Sequence, residues 1–207
     1  SRSAQGNSAR TMPYIRESII TTVNKAGNVH IAPIGIIAEN DGWVIAPFRP
    51  SVTLDNLAEV PFAIANYTDD ARVFAGCLTG RKHWPTVPVD GFPVPRLEAA
   101  LAYSGLEVRA VDDNGVRPRH FCRVVREETL APFTGLNRAK AAVLELAILV
   151  SRLGMLPRNK IEAEIAYLSI AIEKTAGDGE KEAWGWLMQR VSDHLTAKGS
   201  DSEDSRA

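Results

Sequence analysis

The sequence predicts a mixed β/α protein: an antiparallel β-barrel followed by a small C-terminal helical subdomain. Three observations predict it. Short β-branched runs separated by tight-turn signals fill the chain from Tyr14 to about Leu130, the pattern of a closed or nearly closed barrel. Few helical segments interrupt them, which argues against a parallel sheet with crossover helices. From about Leu136 the apolar spacing changes to a helical repeat.

The first run, "ESIITTVN", is followed by the turn "KAGN" with Gly27 at its tip and by "VHIAPIGIIAE", so the two pair as a hairpin. Asp41-Gly42 marks a second tight turn into "WVIAPF". A turn carrying Arg49, Ser51 and Thr53 leads into a short helix. "FAIANY" and "ARVFAGCLTG", joined by "TDD", read as two further strands. "RKHWPTVPVDGFPVPRLE", Arg81 to Glu98, holds four prolines. Each proline removes a ladder donor, so this segment reads as a long surface loop. "LEVRAVD" and "RHFCRVVREETL", joined through Asp113 to Gly115, complete the barrel.

The helical part has three stripes. Ala142, Val143, Leu146, Leu149, Val150 and Leu153 share one face of the first helix. Ile161, Ile165, Leu168 and Ile172 form the second stripe, and Trp184, Leu187, Met188, Val191 and Leu195 the third. The expected organisation is a disordered N-terminal tail at 1–13, the barrel at 14–132, the helical subdomain at 133–197 and a polar, disordered tail at 198–207.

Composition excludes several classes. The chain has 207 residues, of which 45% are hydrophobic and 24% charged, enough for one good core or one core plus a smaller unit. A net charge of −1 supplies no basic field for nucleic acid. No apolar run reaches bilayer length; Glu145 breaks the longest. The N-terminus lacks the apolar core of a signal peptide. Cys77 and Cys122 are far apart and belong to no CxxC pair, so neither zinc nor a disulfide framework is expected, and the protein reads as cytoplasmic with two buried thiols. No GxGxxG and no GxxxxGK[ST] is present.

Two stretches carry candidate chemistry. In "HIAPIG", Pro33 cannot donate to a ladder, so the strand is an edge or lines an opening there. Ala32 and Gly35 would let a flat ligand approach the backbone, although a simple strand bulge accounts for the same residues. The turn with Arg49, Ser51 and Thr53 stands at a helix N-terminus, where exposed N–H groups and the dipole favour an anion. Ser51 or Thr53 can equally be a plain N-cap. His30 can move a proton near neutral pH or be a barrel residue bonded to backbone.

"ITTVNKAGNVHIAPIGI" resembles the opening hairpin of the FMN-binding split-barrel, flavin-reductase-like proteins, and "SVTLDNLAEVPFAIANY" is similar to their "KDTxxNIxxxGxFxVN" stretch. Thr53, Leu54, Asn56 and Leu57 fall on the matching positions, with Asn66 on the final Asn. "ESIITT", "HIAPIG" and "NRAKAAVLELAILVSR" further resemble the DUF447 subgroup, over nearly the whole ordered chain. Two positions depart from the general pattern: Val52 stands where a lysine is usual, and Gly35 where a serine is.

The resemblance implies a Greek-key-like split β-barrel that binds FMN non-covalently. It implies an oxidoreductase passing hydride or electrons to a small-molecule substrate, with NAD(P)H as a candidate donor and a link to pterin-dependent one-carbon metabolism as an association. The alternative is a non-catalytic flavin carrier or sensor. Arg49, Ser51 and Thr53 would take the phosphate, with Asn56 fixing the turn or reaching it. The ring would lie along His30, Ala32, Pro33 and Gly35, with Thr21 and Thr22 at its polar edge or the ribityl chain. Asn137, Arg138 and Lys140 are a candidate second anion contact or a solvated face. His83 and Trp84 are candidates for a lid. A homodimer sharing its flavin sites is expected, with no nucleic acid, membrane or metal partner.

Overall fold

The computed structural model describes residues 12–204. The expected N-terminal tail lies outside the described residues except for Met12 and Pro13, which are exposed. β1 (Ile15–Val23) and β2 (Val29–Glu39) form the first hairpin, and Gly27 supplies the positive φ of its turn, +83°. β3 (Gly42–Ile45), α1 (Val52–Glu59) and β4 (Phe62–Tyr67) follow. Next come α2 (Ala71–Leu78), the short strands β5 (Thr86–Val87) and β6 (Arg96–Leu97), and the long hairpin β7 (Ala102–Asp112) and β8 (Arg119–Thr129). The helical subdomain is α3 (Arg138–Val150), α4 (Arg158–Thr175) and α5 (Asp178–Asp204).

Six strands close in the order β1-β2-β3-β8-β7-β4. Ile20, Ile36, Ile45, Ala63, Ala65, Leu106 and Cys122 fill the interior together with Leu57 of α1. β1 also buries its other face: Ile19 and Ile20 are both fully buried. Ile19 faces outward and joins Ile31 of β2 with Val73, Phe74 and Cys77 of α2 and Leu97 of β6. Burial on both faces explains why "SIITT" lacks clean alternation.

Three expectations need correction. "ARVFAGCL" is helix α2, not a strand. Its continuous apolar run fits either element by periodicity. The Asp70 side chain decides the local outcome by accepting from the Arg72 N–H at 3.1 Å, an N-cap. Apart from Arg72, α2 is apolar, because Ala71 and Ala75 pack on the helical subdomain while Val73 and Phe74 pack on the barrel.

The proline-rich segment is not a free surface loop. It folds into the β5–β6 ribbon and drives Val94 and Leu97, both fully buried, against the outside of the barrel. Strand β2 pairs with β1 from Val29 to Ile37 but with β3 only at Ile37–Glu39, so it is an edge around Pro33, as expected. Finally, α5 runs to Asp204, into the segment expected to be tail; no proline interrupts that polar stretch.

The three expected stripes form one core, with Leu146, Ile161, Ala183, Leu187 and Val191 at its centre. Cys77 and Cys122 are both free and buried. Among the described residues, no helix is long and apolar enough to cross a membrane, and no group of His, Cys, Asp and Glu side chains could hold a metal ion.

Candidate functional site

β3 forks the barrel wall. It pairs with β2 only through Ile37, Ala38 and Glu39, and with β8 from Gly42 to Ile45. The chain then stays with the tip of the β7–β8 hairpin. The Arg117 Nε–H donates to the Ala46 carbonyl at 2.6 Å, and the Arg49 N–H donates to the Val116 carbonyl at 2.9 Å. From Val29 to Ile36, β2 therefore has β1 as its only strand neighbour among the described residues. The strand pairing is thus split between that edge and the 46–51 segment, and α1 packs on β1 and β2 beside it. Pro33 falls in this one-sided half, where its missing N–H leaves no ladder bond unmade.

Opposed residues of an antiparallel pair share a face. His30 lies opposite Thr22 and Ala32 opposite Ile20, so His30 and Ala32 face the barrel side. Pro33 lies opposite Ile19 and Gly35 opposite Glu17, on the outer face. At Gly35 an added Cβ would sit 2.8 Å from Ile15 Cγ2, so packing against β1 already favours the glycine. His30 is half-buried; burial, assisted by nearby Lys82, pulls its pKa below the ordinary value. At neutral pH its imidazole is a neutral donor and acceptor.

Arg49 and Ser51 stand on the other bank of the split. Arg49 is exposed and bidentate to Asp113, Nη1 to Oδ1 at 2.7 Å and Nη2 to Oδ2 at 3.1 Å, with Nη1 also donating to the Gly115 carbonyl. The Arg49 guanidinium, helped by the Gly115 N–H, holds the Asp113 carboxyl down at about 2. Ser51 occupies the N-cap position of α1, yet its side chain makes no capping bond. The first turn of α1 thus keeps N–H donors without a side-chain partner, unlike α2 and α3, capped by Asp70 and Asn137. Thr53 is buried in that turn. Phe48 and Val52, 61% and 51% exposed, put apolar surface at the rim.

Thr21, Thr22 and Asn56 have other work. All three are buried. The Asn56 Nδ2 donates to Thr22 Oγ1 at 3.0 Å and fastens α1 to β1. Thr21 faces the outer side and donates to the Pro95 carbonyl at 2.7 Å. Asn66, on the last matched position of the sequence pattern, is a clasp: its Nδ2 donates to the Ile19 and Ile64 carbonyls and to Thr21 Oγ1, and its Oδ1 accepts from the Leu97 N–H at 2.7 Å. Thr21 and Asn66 therefore bind the proline-rich segment to the barrel.

Trp84 is not poised as a lid. It packs over Gly76 of α2, where an added Cβ would meet its ring at 2.5 Å, and its Nε1–H donates to the Arg81 carbonyl. In the helical part, Asn137 caps α3 by accepting from the Lys140 N–H. Lys140 Nζ is already paired with Asp69 at 3.1 Å, so these residues do not assemble an open anion site.

The sequence reading missed two residues beside the split. Asp113 was visible only as part of a turn. His120 of β8 lies opposite Ile45, 7% exposed, with no hydrogen-bond partner on Nδ1. Burial lowers its pKa, against the opposing effect of the Pro118 and Ile45 backbone, and Arg49 and Asp113 are near enough to act on it in opposite directions. A histidine in a strand with unremarkable neighbours carries no signal of that placement.

Solved structures share this architecture. An FMN-bound protein from Methanosarcina mazei superposes with a TM-score of 0.74 at 22% identity, over 86% of this chain and 96% of that one. The 2-nitrobenzoate 2-nitroreductase of Pseudomonas fluorescens gives 0.49 at 19% identity, over 58% and 67%. The nitrilotriacetate monooxygenase component B homologue of Mycobacterium thermoresistibile gives 0.48 at 18%, over 58% and 72%. The fold is the split barrel of flavin-binding proteins. No curated protein sequence gives a significant match. Residues 16–131 match the N-terminal domain, and residues 137–189 the C-terminal part, of the family described as protein of unknown function (DUF447), and the chain belongs to that family.

Proposed function

We propose that the protein is a non-covalent FMN-binding flavoprotein, with the cofactor in the split between β2 and the 46–51 segment. The observation that carries this reading is the fork in β3. It leaves one edge of β2 open, with an exposed arginine and an uncapped helix N-terminus on the opposite bank. The residues fit the group. The exposed Arg49 guanidinium, which Asp113 holds bidentately, would have to exchange that carboxylate for the phosphate to form a charge-assisted pair with it. Ser51 and the first N–H groups of α1 add donors. His30 and Ala32 line the β2 bank, where half-buried backbone can meet a flat ring. The FMN-bound relative from Methanosarcina mazei supports the same cofactor.

When bound, FMN would supply hydride or electron transfer, which makes an oxidoreductase acting on a small molecule, with NAD(P)H as donor, the functional reading. The protein's own part would be to hold the phosphate at Arg49, to place the ring against β2 and to control access. His30, neutral through burial, is suited to hydrogen bonding at the ring or substrate rather than to carrying a fixed charge.

A second copy of the chain would complete the site. Phe48, Val52 and Val29 are exposed apolar side chains around the split, and flavin-sized ligands are ordinarily mostly buried. A two-fold dimer would cover both splits at once.

Titration of apoprotein with FMN and riboflavin, followed by flavin fluorescence, tests the cofactor. Preference for FMN supports the phosphate turn, and equal affinity refutes it. Anaerobic addition of NADH or NADPH to the loaded protein then separates a reductase, which bleaches and turns over an acceptor, from a carrier, which does not. Light scattering of the loaded form tests the dimer: a monomer that retains flavin at low micromolar concentration removes the shared site.

A further inference from the structure

A second cavity, of about 430 Å³, lies far from the split. Arg96, Tyr103, Arg126 and Glu128 line it, with Val89 and Leu130 among its apolar walls. Arg126 sits further along β8 than His120, by roughly 20 Å at about 3.3 Å per residue. The cavity is therefore at the other end of the barrel wall from Arg49 and α1. We propose that this cavity is a ligand site for a small hydroxylated molecule carrying a carboxylate or phosphate, its oxyanion held by Arg96 and Arg126 and its hydroxyl by Tyr103 and Glu128.

The charges in the cavity are kept apart. Arg126 Nη1 donates to the Asp90 carbonyl and Arg96 Nη1 to the Leu97 carbonyl at 3.3 Å. Among the described residues, neither guanidinium comes within 4.0 Å of a carboxylate oxygen, although Asp90, Glu127 and Glu128 line the same space. Glu128 is held instead by the Tyr103 hydroxyl, which donates to Oε2 at 2.8 Å from a residue only 2% exposed. Both half-buried arginines donate to backbone carbonyls and not to the cavity's carboxylates, so each can also donate to a bound oxyanion. The carboxylate across the cavity would repel a bare anion, but it accepts a hydrogen bond from a ligand hydroxyl.

The positioning is rigid. The β7–β8 register shifts between Gly105 and Leu106, directly beside the Gly105–Arg126 pair; bulges re-aim side chains at sites. Gly91, at φ +68°, lies beside Arg126, where a Cβ would make ordinary contact with Nη2 at 3.7 Å. On β6, Leu97 is fully buried and its N–H is clasped by Asn66. Its neighbour Arg96 is consequently presented on the opposite face. Both arginines thus stand on backbone that is fixed without ligand.

The test uses the full chain, titrated with malate or inorganic phosphate at constant ionic strength maintained with sodium chloride. Arginine side-chain N–H resonances of the wild-type protein report binding directly. The expected result is a saturable shift of the Arg96 and Arg126 signals, with the dissociation constant rising about tenfold or more in Arg96→Gln. Tighter malate identifies an organic acid, and tighter phosphate a phosphorylated ligand. FMN titration of the same variant should be unchanged, which separates this site from the flavin reading. Absence of a saturable response to either anion overturns the proposal. So does an undiminished response in a folded Arg96→Gln protein.

Discussion

Replacing Asn66 with alanine should detach the proline-rich segment from the barrel. Asn66 is fully buried and makes four hydrogen bonds, three from Nδ2 and one to Oδ1. Truncation strands the Leu97 N–H in a fully buried residue, at about 2 kcal/mol. The Ile19 and Ile64 carbonyls and the Thr21 hydroxyl each lose a donor; because they retain other partners or lone pairs, the net loss is about 1 kcal/mol more. The expected destabilisation is about 3 kcal/mol, read from the midpoint of a urea transition. Hydrogen exchange localises it: the Leu97 amide should lose most of its protection, while β1 amides beside Ile20 lose only what the global stability dictates. Thr21→Val, which removes the 2.7 Å bond to Pro95 and one acceptor of the Asn66 Nδ2 group, should cost about 1–2 kcal/mol. A loss below about 1 kcal/mol in Asn66→Ala, with the Leu97 amide still protected, would refute the clasp.

Other perturbations test other layers. Arg49→Gln should reduce FMN affinity about tenfold and leave riboflavin affinity unchanged; a parallel loss of both in fluorescence titrations would place the phosphate elsewhere. Burial pushes the Cys77 thiol up to about 11 and the Cys122 thiol up to about 12, so a thiol-specific disulfide reagent at pH 8 should label neither in the native state and both in urea. Fast native labelling of either contradicts the packing. Gly76→Ala should displace the Trp84 ring and cost about 1–3 kcal/mol, with a red shift in tryptophan fluorescence; an unchanged spectrum would show that the ring is not seated there. The depressed Asp113 carboxyl stabilises the Arg49 contact above the unfolded carboxylate range, and that stabilisation is lost as pH falls through about 2. NMR titration should find Asp113 ionised at pH 3, and a midpoint near 4 would contradict the bidentate pair.

Much of the barrel was legible because turn chemistry is local. Gly27 and Gly115 both take a φ of +83°, and each marks a hairpin the sequence announces. The helical subdomain was legible for the same reason, since its stripes bury the residues that the spacing selects. α2 was not legible, because a helix wedged between two cores loses the polar face that would reveal its period. Site residues were read less well. Thr21 and Asn56 sit in a recognisable pattern, but the pattern says nothing about which face of the sheet each side chain takes. One residue of register separates Thr22, facing α1, from Thr21, facing the proline-rich segment. Asp113 and His120 come to the split through strand pairing far along the chain, and no local signal encodes that.

The distribution of cover around the barrel follows from where the chain places its bulky segments. Ile19, Ile64 and Tyr103 on β1, β4 and β7 are buried on the outer face because α2 and the proline-rich segment lie over them. Prolines suit such a cover, because a covering segment need not continue a ladder and fixed φ values lower the entropy lost on docking. On the β3–β8 side the described residues add no such layer; Arg123 and Val125 of β8 remain exposed. With one side covered by α2, Val94 and Leu97, the strand wall is interrupted where β3 parts from β2, and α1 stands there with no side-chain cap on its N-terminus. If Asn66 and Thr21 were to release the covering segment, Leu97 and Val94 would become exposed and the outer core would compete with the split for apolar ligands. The clasp thus does more than stabilise: it keeps Val94 and Leu97 covered, so that apolar ligands are left to the proposed flavin site. Asn66→Ala should accordingly raise binding of a hydrophobic dye, and addition of FMN should not displace the added dye. Displacement of all bound dye by FMN would mean that the outer core had stayed closed.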